Sequence, residues 1–191
     1  VPLLYSELDA LFADFGYCFE DFRLQWEKEK GSVPLGPSGG KTSIRAETAV
    51  SGLGRYILYR MIMSQDKHKP ERVPSEIRRL LSDPGSAGEG ISRLSAAGDP
   101  AARETDRLFG TLLGAAAVKV FSSMERKVGR LPVLIAGKPS LALPFFGPRA
   151  QQYLTEKGYY HYLRPSIFLD RGLNGNLYGA AVAGEQISSA P

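Results

Sequence analysis

The stretch from Asp99 to Gly137 constrains this chain more than any other: it reads as a long amphipathic helix, a short basic turn and a strand closed by glycine. Leu108, Phe109, Leu112, Leu113, Ala116, Val120 and Met124 recur at a 3.6-residue period, the pattern of a helix half buried against a sheet. Asp99 supplies a cap and Pro100 a preset first turn. Burial of that stripe is worth on the order of 10 kcal/mol gross. Gly110, Gly114 and the run Ala115 to Ala117 keep one side thin, so another helix or a sheet can approach the backbone. The following strand, Leu131 to Ala136, is a short apolar run between Gly129 and Gly137, as expected for a strand covered on both faces. Ligands of open α/β sheets sit beyond the carboxyl ends of strands, which singles out Gly137. The plain alternative is a glycine needed only for the turn.

A chain of 191 residues can hold one good core or one lobe of a larger one. It begins with Val1 rather than Met, as a processed product or a piece of a longer chain would. The net charge of +4 comes without a basic stripe interleaved with aromatics, which argues against a nucleic-acid partner. The single cysteine, Cys18, excludes an internal disulfide framework and a cysteine-rich metal site. No apolar run is long enough to span a bilayer, and the N-terminus lacks a basic-then-apolar signal pattern. A soluble, cytoplasmic chain is expected, or one from an organelle such as the mitochondrion with its targeting segment removed.

Residues 1 to 15 alternate irregularly, as a strand end leading into a helix would. Phe19, Phe22 and Trp26 lie at helical spacing within Phe19 to Lys30, a stripe expected to pack in the core. Gly31 to Ser43 is rich in Gly, Pro and Ser and reads as a flexible insertion loop. Its Gly40, Lys41 and Thr42 match the end of a phosphate-cradling loop, but Leu35 stands where the first glycine belongs and a charged run precedes it instead of a buried strand. A surface insertion is the better reading. Asp14, Phe15 and Gly16 spell a kinase metal-binding triplet without its companion motifs, a chance match.

In Ile44 to Met63, Glu47 precedes a small-residue turn, Ser51, Gly52 and Gly54, that opens a helix. Such a turn leaves backbone N–H groups free to meet an anion or a ribose hydroxyl; the alternative is a simple helix cap with a close backbone approach. Further helices are expected over Ser75 to Leu81, capped by Ser75, over Ala87 to Ala97, and over Pro144 to Lys157. Ile167 to Leu169 reads as another strand, and the glycine-spaced C-terminal segment as a small-residue helix. His68, between Lys67 and Lys69, belongs to a solvated charge run, and His161, among tyrosines, has no companions for a metal site.

The two informative stretches, in this order and separation, resemble the glucokinase family of the sugar-kinase and actin-like ATPase superfamily, in its bacterial and trypanosomatid type. AETAVSGLG, Ala46 to Gly54, is similar to that family's A-E-R-x-x-S-G-x-G, and Leu58 to Arg60 to its L-Y-R. Phe145 to Gly158 resembles its F-F, F-R-x-x-F and x-K-G sequence, and GLNGNLYGAA its G-L-x-G-A close. The resemblance covers most of the chain from Glu47 onward. It implies an α/β fold, the ribonuclease H-like lobe of an actin-like ATPase with a mixed sheet flanked by helices. Residues 1–186 would form the C-terminal lobe and 187–191 a tail.

By the same resemblance Glu47 holds sugar hydroxyls, and Ser51, Gly52, Gly54, Gly137, Lys138 and Gly175 surround the nucleotide. Lys138 departs from the family, where a second glycine follows the strand; it would crowd adenosine or offer a cation to phosphate. If VPLLYSELD corresponds to the family's other sugar loop, Leu4 replaces a glutamate and Glu7 a histidine. The activity implied is phosphoryl transfer from ATP, with Mg²⁺, to the 6-hydroxyl of glucose. The aspartate base, the Asp-Gly-Gly loop and the Mg²⁺ site would all precede Val1, so no catalytic residue is expected here and the reaction would need the missing N-terminal lobe. The alternative implied is a kinase-derived structural subunit of a larger, for example mitochondrial, complex. A single groove shared by the Glu47 turn, Gly137 and the C-terminal glycines is the spatial expectation common to these assignments.

Overall fold

The computed structural model describes residues 2–34, 42–65, 73–128, 133–135, 141–159 and 163–165. Its elements are β1 (Pro2–Leu4), α1 (Tyr5–Ala13), α2 (Phe19–Lys30), β2 (Ser43–Arg45), α3 (Ala46–Ala49), α4 (Gly52–Ser64), α5 (Ser75–Leu81), α6 (Ala87–Ala96), α7 (Pro100–Val128), β3 (Val133–Ile135), α8 (Leu143–Glu156) and β4 (Leu163–Pro165). This is a helix-dominated α/β arrangement. Its described strands form two separate pairs rather than one continuous sheet: β1 with β2, antiparallel, and β3 with β4, parallel.

Helix α7 forms where its cap and periodicity predict. Asp99 Oδ1 accepts the Ala102 N–H at 2.8 Å, satisfying one of the donors a helix start leaves open. Its 29 residues span about 44 Å. Leu108, Phe109, Leu112 and Ala116 are buried, and Leu113 and Val120 partly so. The stripe, however, packs on helices where a sheet was expected: α7 lies against α4 and α8, and also touches α1, α3 and α6. The reason is at its thin side. A Cβ on Gly110 would stand 2.4 Å from the Phe146 carbonyl oxygen, and one on Gly114 2.9 Å from Tyr153 Cβ. These two glycines, one turn apart, admit the backbone of α8, and Phe109 and Phe146 meet edge to face beside them at 4.9 Å.

The most enclosed helix is α4, buried along nearly its whole circumference from Gly54 to Ile62, with Arg60 the exposed exception. Helices α2, α3, α6 and α7 surround it. Helix α2 carries the predicted aromatic stripe into this core: Phe12, Phe19, Phe22 and Trp26 are linked by ring contacts of 5.5 to 6.0 Å, and the Trp26 indole N–H donates to the Ser32 carbonyl at 3.0 Å.

Several expectations are refined. Ser75 is the first helical residue of α5, and its cap position is taken by Pro74. The loop assigned to residues 31–43 ends one residue early, since Ser43 is buried in β2; residues 35–41 lie outside the described set. The strand expected over Leu131 to Ala136 is observed as Val133–Ile135. Strand β4 falls just before Ile167 to Leu169, which is outside the described residues, as are the segment expected to form a C-terminal helix, His68 and His161. Because β3 and β4 are parallel, with Val133 opposite Leu163 and Ile135 opposite Pro165, the chain must cross over between them, and α8 is that crossover. The result is a β-α-β unit. Among the described residues no helix is long and apolar enough to cross a membrane.

Candidate functional site

The segment around Glu47 is built on a short ladder. Pro2 pairs with Arg45 and Leu4 with Ser43, so β1 feeds α1 from one end while β2 feeds α3 from the other. Glu47 sits in the first turn of α3 with its side chain 75% exposed, and its nearest cation is Arg45 Nη1 at 3.5 Å. The exposed Leu4 and the half-buried Glu7 leave from the opposite end. Glu7 is engaged there by Lys119 Nζ at 2.7 Å and by the Leu4 N–H at 3.0 Å. Burial works against its charge, but these two partners outweigh it and hold the carboxyl below its ordinary range. The two acids of the resemblance therefore have separate partners.

The turn beyond Glu47 resolves into a cap and a close approach. Ser51 is the N-cap of α4, and its Oγ accepts the Gly54 N–H at 3.0 Å. Gly54 is wedged against α3: a Cβ there would stand 2.4 Å from the Ala49 carbonyl oxygen and 2.5 Å from that of Thr48. Gly52 has open space where a Cβ would be. Of the three, only Gly52 offers an unobstructed approach to a ligand. Gly137, Lys138 and Gly175 lie outside the described residues, so of the expected common groove only the Glu47 turn can be described.

Two clefts and one buried charge network lie elsewhere. The network joins α4, α6 and α7. Arg55 and Asp106 are 3% and 2% exposed, and Arg55 Nη2 lies 2.7 Å from Asp106 Oδ1. Arg55 Nε donates to the same oxygen at 2.8 Å, and Nη1 donates to the Gly88 carbonyl at 2.9 Å and to Ser92 Oγ at 3.1 Å. The Ser95 hydroxyl donates to Asp106 Oδ2. Burial pushes the Asp106 carboxyl up and the Arg55 guanidinium down, each opposed by the other's charge. Asp106, with Ser95, forms part of the wall of a cleft of about 460 Å³ that also includes Arg103, Arg107 and Phe145. Tyr59 is a second buried polar group: its hydroxyl has no hydrogen-bond partner among the described residues, and burial, then the charge of Asp99, pushes it up to about 12.

The second cleft, of about 470 Å³, opens between α1, α7 and α8. Tyr153 stands in its wall, and burial first, then the charges of Glu7, Glu156 and Asp14, raise its phenol. Glu47, Ser51, Gly52 and Gly54 line neither of these two clefts. Among the described residues no three His, Cys, Asp or Glu side chains are grouped to hold a metal ion.

Sequence reasoning gives no role to Arg55, Asp106 or Tyr153, and meets Asp14 only in a chance triplet and Lys157 only in the x-K-G likeness. Asp106 left a signal: it falls on the buried face of α7 between Ala102 and Phe109, where an acid has to have a partner. Arg55 left a fainter one, at the head of the apolar run Tyr56 to Met63. The cleft residues left none, because three distant segments build it.

Comparison with known proteins returned no match: no family model matches the sequence, and no curated protein or solved structure is significantly similar to it.

Proposed function

We propose that this chain is the C-terminal lobe of a glucokinase-like hexose kinase, with a ribonuclease H-like architecture, in which Glu47 holds hexose hydroxyls. The observation that carries this reading is the position of Glu47: an exposed carboxylate at the start of α3, directly ahead of the Ser51-capped helix α4, with acceptor oxygens available for charge-assisted hydrogen bonds to a sugar. The β-α-β unit of β3, α8 and β4 supports an α/β lobe, and Gly137 follows two residues after the carboxyl end of β3.

The described residues do not by themselves build a nucleotide cradle. Ser51 Oγ and the Gly54 N–H satisfy each other, and the Cα of Gly54 is shielded by carbonyl oxygens; Gly52 alone stands open. ATP and Mg²⁺ therefore enter this proposal only through the resemblance, and no step is derived through them. In a complete kinase the contribution of this lobe would be to orient the hexose, the base and phosphate loop coming from elsewhere.

A second reading is a kinase-derived structural subunit. It is favoured by the engagement of Ser51 and Gly54 in local packing, and by Leu4, exposed where the family has a glutamate.

Thermal denaturation of the chain with millimolar glucose, and separately with ATP and Mg²⁺, tests the two. A ligand at ten times its Kd adds about 1.4 kcal/mol, a readable rise in Tm. Glucose is expected to raise Tm for the wild type and not for Glu47→Gln, a substitution at an exposed position. No rise with either ligand removes the hexose-kinase reading for this chain and leaves the structural one.

A further inference from the structure

The cleft between α1, α7 and α8 has the volume of a small-molecule site, about 470 Å³, and an apolar floor that includes Ala10, Leu11 and Val118. Three carboxylates, Glu7, Asp14 and Glu156, and three cations, Lys119, Arg149 and Lys157, stand around it. Such a lining repels neither sign outright and favours a molecule that carries both.

Four of the six charges are committed. Lys119 pairs with Glu7 at 2.7 Å. Arg149 Nε donates to Thr111 Oγ1 at 2.9 Å, and its Nη1 lies 3.5 Å from Glu156. The remaining two, Asp14 and Lys157, have no ionic partner among the described residues. Asp14 is the C-cap of α1, where its negative charge lies against the negative end of the helix dipole and no basic side chain in the last turn offsets it. A cation arriving there would be welcome on both counts. Lys157 is held at the other wall, its Nζ over the Tyr153 ring 5.6 Å from the centroid.

One carboxylate and one ammonium without ionic partners among the described residues, beside an apolar floor, are complementary to a small zwitterion with an apolar body. We infer that this cleft binds a free α-amino acid with an apolar side chain, its ammonium on Asp14, its carboxylate on Lys157 and its side chain on Leu11 and Val118. The site is separate from Glu47 and does not rest on the hexose reading. Tyr153, whose ring lies under Lys157 Nζ, belongs to the same wall.

Calorimetric titration of the chain with L-leucine, N-acetyl-L-leucine and L-leucinamide tests this. L-Leucine is expected to bind saturably in the millimolar range or better. The two analogues, which lack the ammonium and the carboxylate respectively, should each lose roughly tenfold or more, the scale of one charge-assisted hydrogen bond. Asp14→Asn should weaken L-leucine while leaving N-acetyl-L-leucine unchanged, and Lys157→Gln should do the same with respect to L-leucinamide. Both positions are exposed, and unchanged circular dichroism would establish that the fold is kept. Absence of saturable binding, equal binding of the three compounds, indifference to both substitutions, or displacement of L-leucine by glucose would each overturn the inference.

Discussion

At the scale of single residues, Arg55 and Asp106 carry the largest individual stakes. Their charges are nearly fully buried and each has the other as its main compensation, so removing one strands its partner in the core. Arg55→Met or Asp106→Ala is expected to destabilise by about 3–5 kcal/mol, whereas the double replacement by apolar residues should cost much less than the sum. Urea denaturation of the two single variants and the double variant checks it; additive losses would mean that the pair is not coupled. Gly54 and Ser51 belong to the same scale. Their roles as close contact and cap follow from atoms within a few residues, which is why AETAVSGLG could be read as a helix start from its letters. The two readings of this turn, anion site or plain cap, differ only in what lies outside the helix, and the Gly54 N–H bonded to Ser51 Oγ favours the cap.

Between elements, the contact of α7 with α8 is decided by two missing side chains. A methyl on Gly110 would meet the Phe146 carbonyl at 2.4 Å, and relieving that overlap means pushing two helices apart. Gly110→Ala should therefore lower stability by about 1–3 kcal/mol despite the roughly 1 kcal/mol that alanine gains over glycine in a helix interior. Gly88, in α6, has nothing within 4 Å of a Cβ position, so Gly88→Ala should stabilise by up to about 1 kcal/mol. Thermal denaturation of the two variants gives opposite signs of ΔTm if the packing argument holds. The sequence revealed that α7 had a thin side, but helix and sheet can both use one, and only the position of Phe146 and Tyr153 shows that a helix does.

For the molecule as a whole, the Glu7–Lys119 pair ties the N-terminal segment to α7. Because the folded-state carboxyl of Glu7 is lowered, the unfolded chain binds its proton more readily. The pair's contribution is therefore complete above the ordinary glutamate value of about 4.5 and lost as the pH falls through the lowered folded value. Glu7→Gln should lower the neutral plateau by the pair's contribution while leaving stability at acid pH little changed, so that the acid limb flattens; urea midpoints measured between neutral and acidic pH check this, and an unaltered acid limb would remove Glu7 from the acid response. Along the chain, the sequence by itself determined most of the helices, the start of α7, the burial of Phe19, Phe22 and Trp26, and the region of β3. Periodicity, caps and breakers act over a few residues, so adjacent letters suffice to specify them. Only the tertiary structure decided that the α7 stripe meets helices, that Arg55 answers Asp106 from 51 residues away, that the described strands form two separate pairs, and that α1, α7 and α8 enclose a charged cleft. Each of these depends on which distant backbones can approach closely enough to exclude water and match charge, a property of pairs of segments that no single segment contains.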